Sequence, residues 1–297
     1  MTSRPFLSSR AVLKAMTGFY VLLFFAYLFG PLAVMGITAF NTPSYPQVYP
    51  FESFTLDWFV KLANDDDMVA GFRNSLWIGL LVVLVSVPVG LAGAIVMTQV
   101  HARARSFYYL IVVSPVLTPG VIIGISTVIF WRDMIGVTGT RAFYNGTFLT
   151  VVGQSSYIAA YTMLIFLARL QRFDRAQDEA AQDLGASQTQ VFFHVLLPYL
   201  RPAVFSAAVL AFLSSFENYN TTTFSILADK TLTTVLAGRV RQGTDPSLSA
   251  LAVAIIAVTV AGAVLYEVLR RREDRRARQR ERAAGAAEAR EMAGMTG

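Results

Sequence analysis

The segment DEAAQDLGASQTQVFFHVLLPYLRPAV, Asp178 to Val204, is a polar interruption in a chain that is otherwise apolar enough to sit in a bilayer. It opens on a dense polar turn, carries glycine at 185 and prolines at 198 and 202, and then returns to apolar text. Asp178 and Glu179 suit the positive end of a helix dipole. Ala180, Ala181, Leu184 and Ala186 follow and give a small, closely approachable surface. Glycine costs about 1 kcal/mol relative to alanine inside a helix, so Gly185 predicts close backbone approach or a bend. A second short turn, Gln190 to Leu196, presents Val191, Phe192, Val195 and Leu196. Pro198 lacks the N–H and is expected to stop that turn, and Pro202 suits the first turn of the next helix. The expectation is a rigid helix–turn–helix knuckle with a compact polar tip and an apolar base.

The surroundings explain why such a knuckle must leave the membrane. Of 297 residues, 55% are hydrophobic and only 15% charged, against about a quarter charged in soluble domains. A membrane span needs about 20 apolar residues, and six stretches qualify, at roughly 16–40, 74–100, 108–130, 149–170, 202–226 and 248–269. The first is longer than a signal-peptide core and lacks a clear small-x-small cleavage site, so it reads as a retained anchor. No span is free of polar residues, which suits a bundle around a pathway better than isolated lipid anchors. The fold class is therefore all-α and polytopic.

Lysine and arginine set the orientation. With both termini in the cytoplasm, that side holds Arg4, Arg10, Lys14, Arg103, Arg105, Arg169, Arg172, Arg175, Arg201 and the nine arginines beyond residue 269. The other side holds Lys61, Arg73, Arg132, Arg141, Lys230, Arg239 and Arg241, so the division is eighteen against seven. The net charge of +6 follows this topology and does not point to nucleic acid. Residues 1–15 read as a cytoplasmic segment, 16–270 as a six-span domain with the cytoplasmic loop 171–201, and 271–297 as a solvated, partly disordered charged tail whose arginines touch anionic headgroups. Between the first two spans, NTPSYPQVYPFESFTLDWFVKL reads as an outer loop capped by a short helix at the interface.

Several chemistries are excluded. Cysteine is absent, which removes disulfides, thiolate metal sites and cysteine nucleophiles. The two histidines, His101 and His194, have no matching metal constellation. No serine sits in a nucleophile-elbow context, and no GxxxxGK[ST] phosphate loop occurs. No catalytic residue, metal site or cofactor is expected in this chain.

The spacing in the opening segment carries a specific resemblance. Glu179, Ala180, Ala181, then Gly185, Val195, Leu197 and Pro198 resemble the EAA loop of ABC importer permeases of the MetI-like, type I class. The wording DLGAS followed by QVFFHVLLPYLRPAV is similar to the spermidine/putrescine-type permeases. So are SPVLTPGVIIGISTVIF, Ser114–Phe130, and TLTTVLAGRVRQGTDPSLSALAV before the last span. The resemblance implies a coupling helix, with Asp178, Glu179, Ala180, Ala181, Gly185, Ala186, Leu197 and Pro198 docking onto a cytoplasmic ATPase. It implies as partners a second, related permease, two ATP-binding subunits and an extracytoplasmic binding protein, with ATP bound by those subunits. It also implies a multi-pass bacterial inner-membrane location and an alternating-access mechanism.

In span five, SFENYNTT departs from the paired acids of polyamine permeases by offering Glu217 and Asn218. Ser214, Glu217 and Asn218 are three and four apart and share a helical face, with Thr221 and Thr222 continuing the stripe and Tyr219 beside it. A carboxylate at that depth costs several kcal/mol unless it faces water or a partner. Two readings follow: a pathway face that attracts an amine-bearing cation, or an internal brace held by a neighbouring helix or an arginine. Other solutes of the same family, or a secondary transporter, are the alternatives to a polyamine. Against the secondary transporter stands the lack of a convincing internal repeat.

Overall fold

The computed structural model describes residues 9–295, all α-helical apart from loops, one π-helical turn and a single isolated β-bridge, Asn41 to Phe54. The helices are α1 (Ser9–Ala39), α2 (Asp57–Ala63), α3 (Asp66–Gln99), α4 (Ala102–Leu117), α5 (Gly120–Thr138) and α6 (Gly146–Leu170). Then come α7 (Ala176–Asp183), α8 (Gln188–Val191), the π turn Phe192–Leu196, α9 (Leu197–Phe216), α10 (Thr222–Ser225), α11 (Leu232–Gln242) and α12 (Pro246–Met295). Among the described residues six helices are long and apolar enough to cross a membrane: Ala11–Ala39, Asp66–Gln99, Gly120–Thr138, Gly146–Leu170, Gln188–Phe216 and Pro246–Arg272.

The chain divides into two compact units. One, Met1–Ala63 with Thr244–Gly297, pairs α1 with α12. Thr38 donates from Oγ1 to Ser249 Oγ at 2.9 Å inside this pair. The loop that follows α1 is gathered by Asn41, whose carbonyl accepts from the Trp58 indole at 2.7 Å and whose Oδ1 accepts from the Glu52 N–H at 2.9 Å. The expected short helix is α2, and its Lys61 pairs with Asp245 at 2.6 Å. The side chains of α1 remain largely exposed from Leu13 to Leu32, as a helix facing acyl chains requires.

The other unit, Asn64–Gly243, holds the core. Ile78 and Val82 of α3, Ile158, Met163 and Phe166 of α6, and Ala203, Ala207 and Ala211 of α9 are buried together. The α9 contribution is a stripe of small residues four apart, Ala203, Ala207, Ala211 and Ser215, all buried. In a bilayer, where lipid tails are as apolar as leucine, small residues let helices associate by close packing. At one edge of this unit Asp65 caps α3 and pairs with Arg239 at 2.6 Å, and Asp67 pairs with Lys230 at 2.8 Å.

Four expectations change. The span drawn at 108–130 is two helices: Pro119 breaks the chain, and α5 is the crossing segment. Proline disfavours helical backbone in the residue before it, and Thr118 is extended at φ −85°, ψ 131°. Pro198 does not stop its helix. The chain runs helically from Gln188 to Phe216, and a π turn just before Pro198 absorbs the missing bond, with Leu197 N–H bonding Phe192 O. The span drawn at 202–226 ends at Phe216 and restarts as the single turn α10. Last, the tail expected to be partly disordered continues α12 to Met295, while Arg4 lies outside the described residues.

Candidate functional site

Two sites expected from the sequence can be built up in turn. The knuckle is organised by backbone bonds to itself. At the end of α7, Gly185 takes φ +90°, its N–H bonds Gln182 O at 2.8 Å, and the Ala186 N–H bonds Ala181 O at 3.0 Å. That pair of bonds closes a helix through a left-handed residue, where glycine has no Cβ penalty. Of the two expectations for Gly185, the bend holds: no heavy atom lies within 4 Å of the place a Cβ would occupy. Ser187 then restarts the chain. Its Oγ accepts from Gln190 N at 3.3 Å while Gln190 Oε1 accepts from Ser187 N at 2.8 Å, a reciprocal cap that satisfies two orphan donors.

This leaves Leu184 at the apex 90% exposed. Glu179 and Ala180 are exposed on α7, and Ala181 and Ala186 are half-buried between the two helices. Asp178 Oδ1 is enclosed without a hydrogen-bond partner. Burial pushes this carboxyl above its ordinary value, with Arg175 opposing and Glu179 adding to the rise. Leu197 and Pro198 are half-buried at the base. The base is fixed by Tyr199, whose hydroxyl donates to Arg169 O at 3.3 Å and whose ring lies 4.2 Å under the Arg169 guanidinium.

The second site is the break after α9. Glu217 is its C-cap, so the stripe expected across Ser214, Glu217, Asn218, Thr221 and Thr222 is not one helical face. Asn218 turns inward and organises the restart: its Oδ1 accepts from Thr221 N at 3.1 Å, Thr222 N at 3.2 Å and Thr222 Oγ1 at 3.1 Å. Its amide donates to the Tyr157 hydroxyl at 2.5 Å. Gln154 of α6, fully buried, spans the break by accepting from Ser215 Oγ at 2.5 Å and donating to Thr222 Oγ1 at 2.8 Å. The segment seats against α5 and α6 at two glycines. A Cβ on Gly124 would meet Thr221 O at 2.5 Å, and one on Gly146 would meet Ile226 O at 1.9 Å.

The break opens a cavity of about 370 Å³ lined by Tyr157, Tyr161, Leu210, Ser214, Glu217, Asn218, Tyr219 and Asn220. A smaller neighbouring space of about 200 Å³ shares Tyr157, Tyr161, Asn218 and Asn220 and reaches Thr118, Gly120 and Thr221. Ser214, Glu217, Asn218 and Tyr219 are thus brought together, whereas Thr221 borders only the second space and is 0% exposed. The Glu217 side chain is exposed in this cavity and takes no part in the ion pairs of the described residues. The Tyr219 hydroxyl accepts from Arg241 at 2.8 Å. Reading the sequence missed Gln154, Tyr157 and Tyr161; the signal was the polar run GQSSYIAAY inside an otherwise apolar span.

The family model for binding-protein-dependent transport system inner membrane components matches residues 86–279. The chain is 29% identical over 266 residues to the putrescine transport system permease protein PotI of Escherichia coli K12, covering 89% of this chain and 94% of that one. It is 23% identical to the spermidine/putrescine transport system permease protein PotC of Haemophilus influenzae, over 86% of this chain and 96% of that one. Among solved structures, a bacterial ABC transporter that imports the acidic polysaccharide alginate superposes with a TM-score of 0.66 at 20% identity. That match covers 88% of this chain and 94% of that one. A bacterial alginate ABC transporter in complex with an alginate pentasaccharide-bound periplasmic protein matches with a TM-score of 0.65 at 20% identity over 88% of this chain and 93% of that one.

Proposed function

Because this chain belongs to the binding-protein-dependent inner-membrane component family, and is thus a multi-pass permease subunit of an ABC importer rather than an enzyme, we propose that it conducts a small amine cation of the polyamine class. The observation that carries this reading is the Glu217 carboxylate, exposed in a cavity walled by Tyr157, Tyr161 and Tyr219. A protonated amine is attracted by a carboxylate and by aromatic faces at once, the latter worth about 0.5–2 kcal/mol each depending on desolvation. An exposed carboxylate inside the bundle that enters no ion pair among the described residues also speaks against the brace. The putrescine and spermidine/putrescine names of the relatives point the same way.

In this reading Ser214, Glu217, Asn218 and Tyr219 form the pathway face, and Thr221 supports it from behind. Asp178, Glu179, Ala180, Ala181, Gly185 and Ala186 form the face offered to a cytoplasmic ATP-binding subunit, with Leu197 and Pro198 at its base. The termini and the loop 171–201 lie in the cytoplasm, as the division of lysine and arginine supports. A second permease, two ATP-binding subunits that hold the nucleotide, and an extracytoplasmic binding protein complete the assembly.

The test is uptake of labelled putrescine by cells expressing the complete importer. Glu217→Gln keeps size and most hydrogen bonding but removes the charge. Uptake falls at least about tenfold, the loss of one charge-assisted contact, at unchanged membrane abundance. Unchanged uptake by this variant refutes the role given to Glu217.

A further inference from the structure

A cavity of about 350 Å³ lies away from the α9 break. Its walls come from the end of α3, the first turn of α4, the end of α6 and the turn that leads to α7. Its lining combines the apolar Met97, Leu167, Leu170 and Phe173 with Arg105 and Arg175, beside Thr98 and Gln171, and no carboxylate lines it. Arg175 is steadied by a bond from its guanidinium to Thr98 O at 3.4 Å. Neither arginine enters an ion pair among the described residues.

The position gives this chemistry its meaning. α3 and α6 are membrane-crossing helices that end at Gln99 and Leu170, so the cavity sits where apolar spans give way to arginine. At that level a bilayer presents a phosphodiester with acyl chains beneath it. A guanidinium matches phosphate oxygens bidentately, and basic cavities at the cytoplasmic ends of spans suit anionic headgroups. A dissolved anion would leave the apolar lining residues unused. We infer that this cavity is an anionic-phospholipid site, in which Arg105 and Arg175 grip the headgroup phosphate and Met97, Leu167 and Leu170 receive the upper acyl chain. Arg175 immediately precedes α7, so a lipid held here also steadies the start of the knuckle. The site stands independently of the amine reading of Glu217.

The experiment uses the full chain in mild detergent, supplied with equal phosphatidylglycerol and phosphatidylcholine, and counts retained lipids by native mass spectrometry. The wild type keeps one phosphatidylglycerol in preference to phosphatidylcholine. Arg105→Gln and Arg175→Gln each lower that preference by about fivefold. Arg103→Gln, an exposed arginine outside the cavity, leaves it unchanged and controls for diffuse charge. Arg105→Lys, which keeps charge but loses the fork, gives an intermediate value and guards against misfolding of the glutamine variants. Inorganic phosphate in millimolar excess does not displace the lipid. The inference is overturned by equal retention in Arg105→Gln and wild type, by an equal loss in Arg103→Gln, or by displacement with phosphate alone, which would mark a free-anion site.

Discussion

The knuckle and the α9 break are both places where a helix stops and restarts within a few residues, yet they are held in opposite ways. The knuckle is closed by neighbours in sequence: Gly185 to Gln182, Ala186 to Ala181, Ser187 to Gln190. The break has one local cap, Asn218 over Thr221 and Thr222, but it is tied down by residues more than sixty positions away, Gln154 and Tyr157, and by the bare backbone at Gly124 and Gly146. One is exposed and complete in itself; the other is buried and exists only in the assembled bundle. A surface of the kind proposed to dock a partner can be preformed from local bonds, whereas a cavity between membrane-crossing helices must satisfy its broken backbone from the surrounding helices.

Substitutions at the two sites should separate along this line. The largest effect on stability belongs to Gly146→Val, whose Cβ would fall 1.9 Å from Ile226 O. Overpacking typically costs about 1–3 kcal/mol and more where backbone must move, so folded protein recovered by size-exclusion chromatography should drop sharply. Next comes Gln154→Leu, which leaves the Ser215 and Thr222 hydroxyls without their shared partner. A cost of about 1–3 kcal/mol is expected, read as a lower thermal midpoint. Gly185→Asp should cost about 1–2 kcal/mol, the strain of a side chain at φ +90°, with no clash added because no atom lies nearby. Its effect is on transport: uptake collapses while the protein remains inserted. A Gly185→Asp variant that melts earlier than Gly146→Val would break the comparison.

The smallest effect sharpens it. Asp178 has its carboxyl raised by burial, so its contribution to stability is present below the ordinary carboxylate value and lost as pH rises through the folded one. Asp178→Asn removes that loss. The variant should melt slightly later than wild type at neutral pH and together with it in acid, in a thermal series against pH.

The same contrast explains what could be read from the sequence. The knuckle was legible because glycine, serine and glutamine at fixed offsets write their own hydrogen bonds. The six crossings were legible from apolar length alone. The break was not, because SFENYNTT carries a helical spacing of polar residues that Asn218 overrides by capping the next turn with its own side chain. Nothing local to Gln154 announces that it will reach both Ser215 and Thr222. Pro198 misled for a related reason: proline announces a missing N–H, but not the wider π turn, closed by Leu197 N–H on Phe192 O, that lets the helix run on.

The helix that begins at Gln188 and ends at Phe216 joins these two regions as one piece of 29 residues, a rod of about 43 Å. Its irregular turn, Phe192–Leu196, lies close to the knuckle end. With the middle of that turn as fulcrum the arms are unequal, about 10 Å toward Ser187 and about 34 Å toward Glu217. A lever so divided multiplies travel and divides force roughly threefold. A shift of about 1 Å at the knuckle would swing the cavity end by about 3 Å. Such gearing trades force for travel, and it demands a firm grip at the short arm, where the leverage is poor.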